Sequence, residues 1–322
     1  MIRITHFCSI GTLDVGSPVS TLKTVLLMAR DYQVSVVLPE EGAFSEELRM
    51  HGIEVVIIPF PRLRRFRKIS EWLDYLFGTL SAGLKLRRWL KRENIGLVHF
   101  SDLIDAPYMF FARLAGCKVV THVRVILLKE WAKIVYRWIC SLTADRVLCV
   151  SEATRKAMFP KASPRVHLLY DPGPSDCFLT EPVQEPEGEL KILAVGKFLQ
   201  VKGHANLIEL AHRLKSRGID FHVTIVGKVQ PGHEEYHEKC RALMEEYQLT
   251  HSFEIIPFLS PEELSRKMDE VHVLAHLPNY QEPFPGVTLE AMARGRVVVA
   301  FDSGGIREQF EDGRSGFLIK HG

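Results

Sequence analysis

Gln281-Glu282-Pro283-Phe284-Pro285-Gly286-Val287-Thr288-Leu289-Glu290-Ala291-Met292-Ala293-Arg294-Gly295 is the stretch around which the chain is organised. It opens as a loop with two prolines and a glycine, turns into a short helix of good formers, and stops at Gly295. Leu289, Met292 and Ala293 give that helix an apolar face, with Glu290 beside it one turn in. A carboxylate there is partly shielded from water, which costs free energy unless something satisfies it. Backbone N–H groups at the helix start point into the loop, and the helix dipole adds positive potential, a ready seat for a phosphate. One stretch thus offers an anion seat with a carboxylate on each side, Glu282 before it and Glu290 after it. Val297-Val298-Val299-Ala300-Phe301 then suits a buried parallel strand. Asp302-Ser303-Gly304-Gly305 predicts a tight turn at its carboxyl end, where open α/β sheets bind ligands.

The rest of the chain repeats that strand-turn-helix grammar. Its 322 residues, 46% hydrophobic and 25% charged, suffice for two globular domains. No apolar run approaches the ~18 residues that span a bilayer, and Met1-Ile2-Arg3-Ile4 lacks a signal-peptide pattern. Six scattered cysteines without C-x-x-C spacing read as buried thiols of a reducing compartment, not as metal ligands or disulfides. The expected location is the cytoplasm, or the cytoplasmic face of a membrane. Residues 1–180 hold 25 Lys+Arg against 17 Asp+Glu, whereas residues 181–322 hold 16 against 22. A basic half joined to an acidic half suggests that one domain meets an anionic surface.

Ile2–Phe7 reads as a first strand, with Gly16 in the loop before a helix over 20–30. Strands at 34–38 and 55–58 flank an acidic helix. Arg62-Leu63-Arg64-Arg65-Phe66-Arg67-Lys68 follows, and then Ile69, Trp72, Leu73, Leu76, Phe77, Leu80 and Leu84 recur at helical spacing. This run reads as a core helix with a solvated basic rim, or as a contact with anionic lipid headgroups; both hold if the apolar stripe faces inward and the basic segments outward. No nucleic-acid-reading module accompanies the charge, so nucleic acid is not an expected partner. His122 sits at the carboxyl end of strand 119–121, and Arg124 beside it suits an anion. Asp171-Pro172-Gly173-Pro174 through Glu189 reads as a linker. The expected division is a first domain over 1–172, a linker over 173–189 and a second domain over 190–322. In the second domain Gly196-Lys197 and Lys202-Gly203, between a strand and a helix, suit phosphate charge neutralisation.

The E-x7-E spacing of Glu282 and Glu290, within Glu-Pro-Phe-Pro-Gly-Val-Thr-Leu-Glu-Ala-Met-Ala-Arg-Gly and followed by Gly304-Gly305-Ile306-Arg307-Glu308, resembles the signature of retaining glycosyltransferases of family 4. The resemblance implies a GT-B fold, two Rossmann-like domains with parallel sheets facing across a cleft. It implies that Glu282 touches the donor sugar, that Glu290 holds the ribose, and that the Gly286 and Val287 amides, beside Phe284, face the diphosphate or sugar. It also implies that Gly16 belongs to a glycine loop near the donor phosphate, that Phe258 ends the step that cradles the base, and that His122 faces the acceptor side of the sugar. Pro285 stands where many relatives have glycine, and Lys197 where they usually have arginine. Relatives continue for several tens of residues beyond Ile319, so a shortened C-terminus is expected.

The implied reaction moves a sugar from a UDP- or GDP-sugar to a glycan or lipid-linked acceptor, with retention at the anomeric carbon and an anionic membrane surface as a partner. It would need no cofactor and, with no Asp-x-Asp present, no metal; Lys197, Lys202 and the helix start near Gly286 would take the leaving-group charge. A nucleotide-sugar epimerase of the same fold and a non-catalytic nucleotide-sugar-binding protein are the alternatives. No G-x-G-x-x-G follows the first strand, which argues against a nicotinamide dehydrogenase.

Overall fold

Every ladder between named strands is parallel, and the strands fall into two sheets, one in each half of the chain. The structure, a computed structural model, describes residues 2–12, 16–62, 68–174 and 188–320. The chain divides into two compact units, Met1–Pro172 and Gly173–Gly322.

The first unit runs β1 (Arg3–Phe7), α1 (Gly16–Met28), β2 (Gln33–Leu38), α2 (Ala43–Met50), β3 (Glu54–Ile57), α3 (Ile69–Arg92), β4 (Leu97–Phe100), α4 (Ala106–Ala115), β5 (Lys118–Val123), α5 (Glu130–Thr143), β6 (Arg146–Cys149), α6 (Glu152–Met158) and β7 (Val166–Leu168). Its strand order is β3-β2-β1-β4-β5-β6-β7. Period-two alternation sends neighbouring residues to opposite faces. Val36 and Leu38 meet Val25, Phe44 and Leu48 of α1 and α2, whereas Val37 joins the core under α3, α4 and α5.

Two expectations for this unit need correction. The first helix starts at Gly16, four residues early, because Pro18 fits a first helical turn, where its missing N–H costs nothing. On α3, Ile69, Trp72, Leu73, Leu76, Phe77, Leu80 and Leu84 all face solvent, so the apolar stripe is not the core face. Tyr75, Thr79, Ala82, Gly83, Leu86 and Leu90 are buried instead. Small residues line that side because α4 comes close; a Cβ on Gly83 would lie 2.3 Å from the Phe111 ring.

The second unit runs β8 (Leu190–Val195), α7 (His204–Ser216), β9 (Phe221–Val226), α8 (Glu234–Glu246), β10 (Phe253–Ile256), α9 (Pro261–Asp269), β11 (Val273–His276), α10 (Gly286–Ala293), β12 (Val297–Phe301) and β13 (Gly316–Ile319). Its strand order is β10-β9-β8-β11-β12-β13. One face packs on α7 and α8 through Leu207, Ile208, Ala211 and Met244, the other on α9 and α10 through Met268 and Ala291. The helix α10 stops where expected, with Gly295 at φ +66°. Its inward side is Thr288 and Ala291, not Leu289 and Ala293. Eight residues, apolar nearly all round, leave periodicity nothing to choose with. The Thr288 hydroxyl decides it, donating to the Pro285 carbonyl at 2.7 Å. Of the strand after it, Val298 and Ala300 are buried and Val297 is exposed.

Gly203 and Gly218 both adopt positive φ, at +72° and +70°, but a Cβ on Gly203 would lie 1.8 Å from the Leu277 carbonyl oxygen while Gly218 faces open space. Gly218→Ala is expected to cost about 1 kcal/mol, and Gly203→Ala about 2 kcal/mol or more beyond that. Thermal melts of the pair decide it; equal melting temperatures would mean the 203–277 contact yields freely.

Candidate active site

In each sheet the strand order reverses once, between β1 and β4 in the first unit and between β8 and β11 in the second. The loops that leave the carboxyl ends of such a strand pair diverge and open a crevice. The chemistry-bearing side chains of each unit gather at that place.

In the second unit, Gly196 and Lys197 follow β8, and a short 3-10 turn at Gln200–Lys202 leads into α7. The Asn279 amide donates to the Val201 carbonyl at 2.8 Å, and the Asn206 side chain donates to the Leu277 carbonyl at 2.9 Å. These bonds lace the loop after β8 to the loop after β11. Lys202 Nζ then donates to Glu282 Oε1 at 2.6 Å and to the Tyr280 hydroxyl at 3.2 Å. His276, the last residue of β11, sets Nε2 3.6 Å from the same carboxylate oxygen. Glu282 is 6% exposed. Burial pushes its carboxyl up, and His276 and Lys202 more than offset that, holding it down at about 2. Burial, with Glu282 second, raises the Tyr280 hydroxyl, so it stays protonated.

The backbone of Glu282 is fixed from the other side. The Gly305 amide donates to its carbonyl at 2.8 Å, and a Cβ on Gly304, at φ +64°, would lie 2.1 Å from that oxygen. The turn expected at Asp302–Gly305 is therefore what clamps the acidic loop, and Arg307 pairs with Asp302 behind it. Gly286 and Val287 open α10, whose N-cap is Pro285 with no side-chain cap. Nothing crowds Gly286 within 4 Å of a built Cβ. Phe284 and Glu290 are half-buried, before and within that helix, as is Lys197. Phe258 stands exposed in the loop after β10, the sheet's edge strand. The result is a buried, permanently ionised carboxylate beside an uncapped helix start. Such a carboxylate accepts hydrogen bonds or faces positive charge; it does not trade protons near neutrality.

In the first unit, His6 and His99 are paired in register across β1 and β4. Their Nδ1 atoms are 3.1 Å apart, so one donates and the other accepts. His122 on β5 adds a third ring, its centroid 5.6 Å from that of His99. Burial, then Arg124, lowers His6 and His122 to about 3, and burial with the neighbouring rings takes His99 well below the usual range. Three neutral histidines thus line the switch point. His122 Nε2 lies 3.4 Å from the Leu169 carbonyl, while His122 Nδ1 and His99 Nε2 are buried without a hydrogen-bond partner. Arg124 does hold an anion, but an internal one. It grips the Asp171 carboxylate at 2.9–3.1 Å and donates to the Ser101 carbonyl at 2.9 Å. Burial would raise Asp171, and Arg124 outweighs it, keeping the carboxyl below its ordinary value.

Gly16 begins α1. Arg62 is exposed and paired with Glu40 at 3.0 Å, and Lys68 is the exposed N-cap of α3. Arg64, Arg65 and Arg67 lie outside the described residues. Sequence reasoning missed Tyr280, His276, His6, His99 and Asp171. A signal existed for three of them: His6, His99 and His276 lie at or next to the ends of parallel strands, as His122 does.

The buried histidines make stability depend on acid. Unfolding raises their affinity for protons, so stability is intact above pH 6.5 and falls as pH drops toward about 3. Each contributes a slope of up to about 1.4 kcal/mol per pH unit. Asp105, buried and raised, pulls the opposite way, so the comparison is between the protein and His99→Asn. A shallower acid limb in the variant's thermal melts is expected; parallel limbs would mean that His99 protonates within the fold.

Residues 178–322 match the family described as glycosyl transferases group 1, and residues 24–170 match Glycosyltransferase Family 4. WcaL of Escherichia coli (strain K12), named for colanic acid biosynthesis, is 32% identical over 148 residues, covering 44% of this chain and 35% of that protein. The amylovoran biosynthesis glycosyltransferase AmsK of Erwinia amylovora is 30% identical over 139 residues, 41% of this chain and 33% of AmsK. Those alignments span about a third of each relative. Anabaena Alr3699/HepE, solved in complex with UDP and glucose, superposes with a TM-score of 0.84 at 19% identity over 100% of this chain and 86% of that one, which shows the shared fold. With its two parallel α/β units in the GT-B pattern and both halves matched, the chain belongs to glycosyltransferase family 4.

Proposed function

We propose that this protein transfers a sugar from a nucleoside diphosphate sugar to a glycan or lipid-linked acceptor in polysaccharide synthesis, with retention at the anomeric carbon and without a metal ion. The observation that carries the reading is Glu282, buried yet ionised against Lys202 beside the uncapped start of α10. A helix start with open amides takes a diphosphate, and the lysines after β8 offset charge on the departing phosphate. Glu282, which stays charged, steadies positive charge that develops on the sugar ring. His122 is neutral, and its partnerless Nδ1 suits a sugar or acceptor hydroxyl. The departing phosphate, not a side chain, takes the acceptor's proton. HepE's complex with UDP and glucose and the polysaccharide names of WcaL and AmsK support the donor class and the pathway class. No described helix is long and apolar enough to cross a membrane.

Thermal shift with UDP-, GDP- and ADP-sugars identifies the donor, since a ligand at a hundred times its Kd adds ~2.7 kcal/mol. Glu290→Ala, which removes a ribose partner, is expected to weaken donor binding by about 2 kcal/mol, roughly thirtyfold in Kd, in a folded protein. Unchanged affinity would take Glu290 out of the site. Turnover is expected to persist in excess EDTA; loss on chelation with recovery on Mg²⁺ or Mn²⁺ would refute the lysine-based account.

A further inference from the structure

The helices α3, α4 and α5 share one face of the first sheet, over a single core, with α4 in the middle. Their inward sides are satisfied. Their outward sides are not those of an ordinary surface. On α5, Trp131, Ile134, Val135, Trp138 and Leu142 are each about half exposed or more, at three- and four-residue spacing, while Tyr136, Cys140 and Thr143 face the core. On α3, Trp72, Leu76, Phe77 and Leu80 repeat the pattern, and Leu114 at the end of α4, whose carbonyl accepts from Arg87, is 62% exposed. A soluble surface scatters such residues singly; contiguous apolar area marks a contact face.

We infer that this outward face of α3, α4 and α5 is a docking surface for an anionic lipid bilayer. The inference deepens the membrane-side reading of the acceptor given above, and its functional sense rests on that reading. Residue chemistry chooses lipid over a second copy of the chain. All four tryptophans lie on α3 and α5, and three are exposed on this face. Tryptophan favours the headgroup level, where one side is apolar and the other wet. The outward face of α3 continues past Leu84 as Arg87, Arg88 and Lys91, and neither Arg88 nor Lys91 forms an ion pair among the described residues. Residues 68–92, 106–115 and 129–143 hold ten lysines and arginines against three acidic residues. A second copy would bring the same surplus of seven positive charges and be repelled, whereas anionic headgroups are attracted. An apolar stripe with a basic end, on a 24-residue helix packed along a sheet, suits a helix lying in the interface plane.

The test is co-sedimentation of the full chain with phosphatidylcholine vesicles, with and without phosphatidylglycerol, at low and high salt, beside ultracentrifugation without lipid. Binding to the phosphatidylglycerol vesicles is expected, with a blue shift of tryptophan emission and release at high salt. Arg88→Glu with Lys91→Glu is expected to lower partitioning more than about tenfold, since each basic residue near such a surface contributes about fivefold. Trp131→Ser with Trp138→Ser is expected to lose the blue shift and most of the binding, with an unchanged melting temperature because both side chains are exposed. Equal binding to both vesicle types, no binding at low salt, or lipid-free self-association that these substitutions abolish would overturn the inference. Nucleotide-sugar binding in the same samples is expected to be unaffected; its absence would count against the proposed donor site and not against the docking face.

Discussion

A carboxylate sealed from water and kept ionised is the constraint on which the second unit depends. Burying Glu282 carries a desolvation penalty of several kcal/mol that only a close, well-placed cation offsets. Lys202 is that cation, 80 positions earlier in the chain and 2.6 Å away. Two glycines follow from holding the pair together. Gly203 lets the loop after β8 come within contact of the Leu277 carbonyl, and Gly304 lets the turn after β12 close on the backbone of Glu282, where the Gly305 amide donates to its carbonyl. A side chain at Gly203 or Gly304 would push one partner away and leave a buried charge alone, which is far costlier than never burying it.

Both units solve the same geometric problem at the same topological place and fill it with opposite chemistry. The β8–β11 crevice holds full charges, Lys202 and Glu282, with Tyr280 and His276 around them. The β1–β4 crevice holds neutral imidazoles on its strands, with the Arg124–Asp171 ion pair beside them. Neutral rings suit hydroxyl groups, which both donate and accept, whereas fixed charges suit a diphosphate and a cationic transition state. The two crevices thus differ in the protonation states that burial enforces, neutral rings in the first unit and full charges in the second.

How much of this could be read in the sequence depended on whether partners are local. Glu282, Gly286 and Glu290 ride on one loop and one helix, so their spacing alone reads as an anion seat between two carboxylates, and the turn at Gly304 was legible because it too is local. Tyr280 was invisible as a partner of Lys202, because the two meet only when β8 and β11 become neighbours, and His276 reaches Glu282 only from the end of β11. Asp171 was read as part of a linker, since proline and glycine follow it and its partner Arg124 is 47 residues away. On α3, hydrophobicity pointed to the wrong side. The inward face joins Tyr75, Leu86 and Leu90 with Thr79, Ala82 and Gly83, small residues that allow the close approach of α4, and the longer apolar stripe is turned outward. Apolarity predicts burial only when every apolar surface must be hidden, and a contact face breaks that premise.

The Arg124–Asp171 pair also fixes where the first unit ends. Asp171 immediately precedes Pro172, the last residue of that unit, and its side chain is 11% exposed against 6% for Arg124. A buried bidentate pair resists opening, because separation would strand two desolvated charges. The Ser101 carbonyl takes a further guanidinium N–H, and the Leu169 carbonyl lies 3.4 Å from His122. The chain is therefore pinned to the edge of the first sheet as far as Asp171, and the pin is built from the residues that surround His122. Asp171→Asn would keep the shape and remove the charge, leaving Arg124 unpaired beside three histidines. The exit of the first unit and the electrostatics of its crevice are one structural decision.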